Sequence, residues 1–140
     1  MRIAIDTNVL IAALTRPRGG SARIVKAWLD GQVEVVASEA TVREAELVLG
    51  GGWLGRMTPP GNVEALLAKL RTQTVWAERP PPIADLRLKD EGDRRLAEAA
   101  VCGGAEYVVT TDREFLSQGG YAGTQFVTPR EFLRLMDRGR

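Results

Sequence analysis

The chain has 140 residues, 44% of them hydrophobic and 26% charged, which suffices for one sizeable core and argues against wholesale disorder. Nineteen basic residues against 18 acidic ones leave a net charge of +1, with no basic arm or acidic tail to mark a partner. The absence of histidine excludes Ser-His-Asp and Cys-His nucleophile systems and the usual zinc sites. Any chemistry must then fall to carboxylates, lysine or a bound ion.

Other exclusions follow. The lone Cys102 rules out an internal disulfide and is expected as a buried small residue. No apolar run is long enough to span a bilayer, and the early Asp6 breaks any signal-peptide pattern. A single cytoplasmic domain over residues 1–140, with no membrane association, is the expectation. Arginine outnumbers lysine 16 to 3. That bias suits phosphate contacts, but a GC-rich or thermophilic genome accounts for it better.

In chain order, Arg2-Ile-Ala-Ile-Asp6 reads as a short strand with a polar end, and Thr7 to Leu14 as a helix. Thr15 to Gly20 is a loop by its Pro and Gly content. Ser21 would cap a helix to about Asp30, with Ile24, Val25, Trp28 and Leu29 on one face. Val33 to Ala37 is a second strand, and Ser38 would cap a helix containing Val42, Ala45, Val48 and Leu49, stopped by Gly50-Gly-Gly52. Residues 50–61 form a Gly/Pro-rich connection anchored by Trp53 and Leu54. A helix follows over Val63 to Leu70, then a weaker third strand over Gln73 to Ala77 and a stiff spacer at Pro80-Pro-Pro82. A helix begins near Asp90 and carries Leu96 to Val101. Tyr107-Val-Val-Thr110 is a buried fourth strand, Gln125-Phe-Val127 a last short one, and Thr128-Pro-Arg-Glu131 opens the final helix. Strands interleaved with helices predict a parallel sheet covered on both faces.

Ligands of open α/β sheets sit beyond the carboxyl ends of the strands. Asp6 ends the first strand, and Asp112 follows the fourth in Val108-Val-Thr-Thr-Asp112. Glu44 lies near the apolar side of its helix, and Asp93 lies in the first turn of the next-but-one. Both helices begin on the side where strands end, so four acids from distant segments are expected to meet there. Each has an ordinary reading too. Asp6, Thr7 or Asn8 would cap one helix and Asp112 another. Asp93 suits a helix dipole, and Glu44 suits a solvated helix face. The conjunction carries the functional reading.

Ile5-Asp-Thr-Asn-Val-Leu10, Ser38 with Glu44, Asp90-Glu-Gly-Asp93 with Leu96 and Ala100, Val108-Val-Thr-Thr-Asp-Arg-Glu-Phe115 and Val127-Thr-Pro-Arg-Glu-Phe132 together resemble PIN domains, nucleases that include many toxins of bacterial toxin–antitoxin pairs. The resemblance spans nearly the whole chain. It implies a three-layer α/β/α sandwich around a parallel sheet, Rossmann-like in outline, with divalent-metal dependence and ribonuclease activity. It maps the acidic set to Asp6, Glu44, Asp93 and Asp112. Asn8 and Thr110 become supporting residues, and Asp90 a cap or an outer ligand. Thr111 stands where the family often has glycine, and Glu114 where it often has aspartate. A small antitoxin partner and homodimerisation through Trp28, Trp53 and Leu54 are further implications.

The chemistry of such a set is restrictive. Two carboxylates about 4 Å apart repel by roughly 4 kcal/mol at an effective dielectric near 20, so four together require protons or a cation. All-oxygen donors favour Mg²⁺ or Mn²⁺, and one ion or two would fit. The expected activity is metal-assisted phosphodiester hydrolysis of RNA. Asp6, Asp93 and Asp112 would hold the principal ion, and Glu44 a second ion or the attacking water. Arg94, Arg95 and Arg113 adjoin the acids and would grip phosphates, as would Arg16, Arg18 and Arg23 near the first loop. Trp53 and Trp76 either pack or stack on bases. An aspartyl-nucleophile phosphatase also begins strand-Asp, but it needs a carboxylate where Asn8 stands. The remaining alternative is a catalytically inert PIN-like module that binds RNA or a protein partner.

Overall fold

The computed structural model describes residues 1–139. Strands and helices alternate as β1 (Arg2–Ile5), α1 (Thr7–Thr15), α2 (Gly20–Leu29), β2 (Glu34–Ala37) and α3 (Glu39–Leu49). A 3-10 turn (Trp53–Arg56) leads to α4 (Asn62–Thr72), β3 (Val75–Trp76), α5 (Glu91–Cys102) and β4 (Tyr107–Val109). The chain ends with α6 (Arg113–Ser117), β5 (Gly120–Tyr121), β6 (Thr124–Val127) and α7 (Pro129–Arg138). The strands form one sheet in the order β3-β2-β1-β4-β6-β5. All neighbours are parallel except β5, which runs antiparallel to β6.

The period of two along each strand sorts the core into two layers. Ile3, Ile5, Val35 and Val109 face α1, α2, α3, α4 and α7 through Leu10, Trp28, Leu49, Leu66 and Phe132. Ala4, Val36, Val108 and Phe126 face α5 and α6 through Leu96, Ala100 and Phe115. This is the expected three-layer α/β/α architecture. Trp28 supplies the largest buried side chain, and its indole N–H donates to Gln73 O at 2.7 Å. Phe115 meets Phe126 edge-on at 4.8 Å.

Local signals set the helix starts. Ser38 Oγ accepts from Thr41 N–H while Thr41 Oγ1 accepts from Ser38 N–H, closing a capping box on α3. Thr128 and Glu131 do the same on α7, with Pro129 in the first turn. Each such cap contributes about 1 kcal/mol. Several points differ from expectation. Ser21 lies inside α2, whose start falls at Gly19 without a side-chain cap, and Leu29 at the far end is 38% exposed. The strand β5 went unforeseen because two residues around Gly120 carry no alternation. Cys102 is exposed, since it occupies the last turn of α5 past the buried Ala99 and Ala100. Trp28 and Leu54 are sealed in the core, at 1% and 0% exposure, and have no surface to offer a second copy. Among the described residues no helix is long and apolar enough to cross a membrane.

Candidate active site

Parallel pairing aligns Ile5 with Val109, so the residues that follow, Asp6 and Thr110, come abreast on the carboxyl rim of the sheet. Asp6 N–H still donates to Val109 O at 3.0 Å. Asp6 stands at the N-cap of α1, yet its side chain makes no capping bond. Its Oδ2 instead accepts from Thr110 Oγ1 at 2.6 Å, and both residues are buried. Thr110 Oγ1 in turn accepts from Asp112 N–H at 3.1 Å. One hydroxyl therefore orients the first acid and the backbone of the last. Thr110, expected as a supporting residue, thus contacts Asp6 and Asp112.

Capping and site geometry coexist in two of the other acids. Asp112 Oδ1 accepts from Phe115 N–H at 2.9 Å and starts α6. Asp90 Oδ1 accepts from Asp93 N–H at 2.9 Å and starts α5. Each cap uses one carboxylate oxygen and fixes the direction of the other. Glu44, one turn into α3, accepts from Thr7 Oγ1 at 3.4 Å. The sequence reading missed Thr7 in this role. It also missed Gly92, where a Cβ would collide with Glu44 Oε1 and lie 2.6 Å from its Cδ. The bare glycine lets α5 approach the Glu44 carboxylate. A signal existed: glycine inside a first helical turn gives up about 1 kcal/mol against alanine.

The electrostatics show that the acids sense one another. Burial pushes the Asp93 carboxyl up to about 7, with Asp6, Asp90, Asp112 and Glu44 adding to the rise. Burial raises Asp6 as well, offset by the Thr110 hydroxyl and Thr7 N–H and increased by Asp112 and Asp90. Glu44 is raised by burial and then by Asp6 and Asp90, against the Thr7 hydrogen bond. A raised carboxyl binds its proton more tightly in the folded state than in the unfolded chain. The resulting stability is fully present below the unfolded value of 3.8 and is lost as pH rises towards 7. For the half-buried Asp93, after solvent screening, the loss is about 1–2 kcal/mol. Urea titrations in EDTA at pH 5 and pH 8 should show it. Mn²⁺ should recover stability at pH 8 alone, and Asp93→Asn should flatten the difference. An unchanged pH slope in that variant contradicts the assignment.

Among the described residues, no three Asp, Glu, His or Cys side chains are arranged to hold one metal ion directly. The donor set nonetheless fits a hard cation. Mg²⁺ usually keeps several waters and takes only one or two carboxylates alongside substrate phosphates. A bound cation would favour the charged forms of carboxyls that burial and neighbouring acids hold above their ordinary range.

The remaining candidates scatter. Asn8 is exposed, and Thr7 beside it makes the contact to Glu44. Arg94 Nη1 donates to Leu88 O at 2.8 Å and to Lys89 O at 3.3 Å. Arg95 pairs with Glu98 and Glu91. Both guanidiniums are thus already engaged. Arg113 is exposed and makes no ion pair among the described residues. Arg16 and Arg18 lie past the far end of α1, which carries the chain about 13 Å from Asp6; Arg23 pairs with Asp137.

Glu114 Oε1 accepts from Lys89 N–H at 2.6 Å. With Arg94 it grips the segment that delivers Asp90. Glu114→Gln keeps an accepting oxygen and should retain the wild-type melting temperature and Mn²⁺ response. Glu114→Ala should lose about 1 kcal/mol. A weakened Mn²⁺ response in the Gln variant would instead make Glu114 an ion ligand.

Comparison with known proteins gives the family and the fold. The PIN domain family matches residues 2–114, and the chain belongs to that family, whose members are generally nucleases. No curated protein gives a significant match. Among solved structures, PAE2754 from Pyrobaculum aerophilum is similar with a TM-score of 0.58 and 20% identity, over 98% of this chain and 89% of that one. FitAcB from Neisseria gonorrhoeae is similar with a TM-score of 0.52 and 19% identity, over 91% and 98%. At such identities the two structures bear on the fold alone.

Proposed function

We propose that this chain is a divalent-metal-dependent endoribonuclease hydrolysing phosphodiester bonds, and that it acts in the cytoplasm as the toxin of a toxin–antitoxin pair. The observation that carries the proposal is the gathering of Asp6, Glu44, Asp90, Asp93 and Asp112 at one rim of the sheet, where burial and then neighbouring acids raise the carboxyls of Asp6, Glu44 and Asp93. An inert binding module gains nothing from keeping it.

Asp6, Asp93 and Asp112 would hold Mg²⁺ or Mn²⁺, one or two of them directly and the rest through water. Glu44 orients the attacking water or helps hold a second ion, with Asp90 as an outer ligand. The ion, when bound, supplies a water of lowered pKa and neutralises charge developing on the phosphate. Thr110 locks Asp6 Oδ2 in place, Thr7 aims Glu44, and Arg113 binds a phosphate beside the cut.

Labelled single-stranded RNA should be cut with Mn²⁺ and left intact with EDTA, and Asp6→Asn prepared in parallel should fail to cut. Equal cutting by that variant would expose a contaminant and remove the proposal.

The antitoxin would sit in a surface groove. Leu14, Val25, Leu29 and Leu66 line an apolar groove of about 390 Å³ between α2 and α4, with Lys26 and Lys69 on its margin. Its apolar lining suits the apolar face of an amphipathic helix. For self-association, the exposed Leu47, Trp53 and Met57 replace the buried pair Trp28 and Leu54.

A further inference from the structure

The carboxyl rim continues past the acids. Ala37 at the end of β2 pairs with Trp76 at the end of β3, and Ala77 N–H donates to Ala37 O at 2.8 Å. Two strand spacings, about 10 Å, separate this edge from the end of β1. Along a single-stranded nucleic acid that is a nucleotide or two.

The three tryptophans differ in how they are held. The indole N–H of Trp28 donates to Gln73 O and that of Trp53 to Val48 O. The N–H of Trp76 has no partner among the described residues, although a packed indole usually finds one. Trp76 is 38% exposed while Ala77 beside it is buried at 3%, so strand alternation turns the ring outwards. It borders an open groove of about 530 Å³ with Ser38, Arg43 and Arg79.

The two arginines are available. Arg79 is exposed, makes no ion pair among the described residues, and is held at φ 44° just before the proline run. Arg43 has one loose contact, to Glu39 at 3.8 Å, while Glu39 is bound at 3.1 Å by Arg71. Glu39 and Glu78 also line the groove, which keeps its charge near balance. Grip there falls to the aromatic face more than to charge.

Resting on the nuclease reading above, we propose that Trp76 is a stacking platform for a base of single-stranded RNA flanking the cleaved bond, with Arg79 and Arg43 holding the adjoining phosphates. RNA is favoured over a protein partner because the groove opens on the same strand-end rim as the acids. Every base offers a π-face, so the subsite tolerates sequence while fixing which phosphate reaches Asp6.

The test uses the full-length protein and single-stranded RNA with one defined cut site, in Mn²⁺. Trp76→Leu keeps apolar bulk on the edge strand and should melt like the wild type. Its KM should rise about 5- to 100-fold with kcat nearly unchanged, and Trp76→Phe should recover most of the loss. Arg79→Gln should raise KM a few-fold and reduce the salt slope by about 0.7. An RNA lacking the flanking base should cost the wild type the same factor and cost Trp76→Leu nothing. If the wild type cuts and Trp76→Leu keeps its KM, the subsite is overturned, the groove passes to a protein partner, and the nuclease reading stands. If the wild type cuts nothing under any metal, both fall.

Discussion

Asp6→Asn is expected to melt about 3 °C higher than the wild type in EDTA at pH 8 while cutting RNA about a thousandfold more slowly in Mn²⁺. The two effects share one cause. Asp6 is buried against Thr110 and faces Asp112 and Asp90, so its negative charge is unfavourable in the bare protein. The asparagine oxygen still accepts the Thr110 hydroxyl, and about 1 kcal/mol of repulsion disappears, which sets the shift in melting for a chain of this size. In the proposed mechanism the same charge would anchor the ion, and losing about 4 kcal/mol of transition-state stabilisation gives the thousandfold. Thermal melts and initial cutting rates on one preparation check both. A variant that melts lower, or cuts within tenfold of wild type, would place Asp6 in an ordinary structural role.

Gly92→Ala should separate stability from activity in a different way. An added Cβ meets only the carboxylate end of Glu44, which can swing aside at little conformational cost. Alanine also favours the helix by up to about 1 kcal/mol. The variant should therefore melt as well as the wild type or slightly better. Its cutting rate should fall about 10- to 100-fold, in the range seen when a group orienting a metal site is lost. Glu44→Gln should cost a similar factor, and the double variant little more than either single one, since both changes disable the same carboxylate. Fully additive losses would mean that Gly92 acts elsewhere.

The parts of this site that the sequence exposed are those fixed by short-range rules. Asp6 and Asp112 stand out because parallel strands must end on one rim, and residues just past a strand end have no choice of side. Ser38, Asp90 and Thr128 announce their helices because capping depends on three or four consecutive residues. The apolar period of α5 positioned Asp93 within its first turn. What escaped depends on close approach between distant segments. Thr7 touching Glu44, Gly92 making room for it, and Glu114 turning to Lys89 leave no periodic trace. The exposure of Cys102 and Leu29 escaped for a related reason. Both sit in the last turn of a helix, where an amphipathic face outruns the surface it packs on. Arg94 reads as a loose cation in sequence because carbonyl acceptors such as Leu88 O are visible only in three dimensions.

The sheet's two margins also limit how copies of this protein can meet. One margin is the two-residue β3 and the other is β5, equally short and folded back on β6. Neither presents a run of unpaired amides long enough to template a foreign strand. Fibrillar growth by edge addition is thereby blocked at both ends without recourse to lysine or proline within the strands. Assembly is left to helix and loop surfaces, which single substitutions can tune without disturbing the strand register that brings Asp6 beside Thr110.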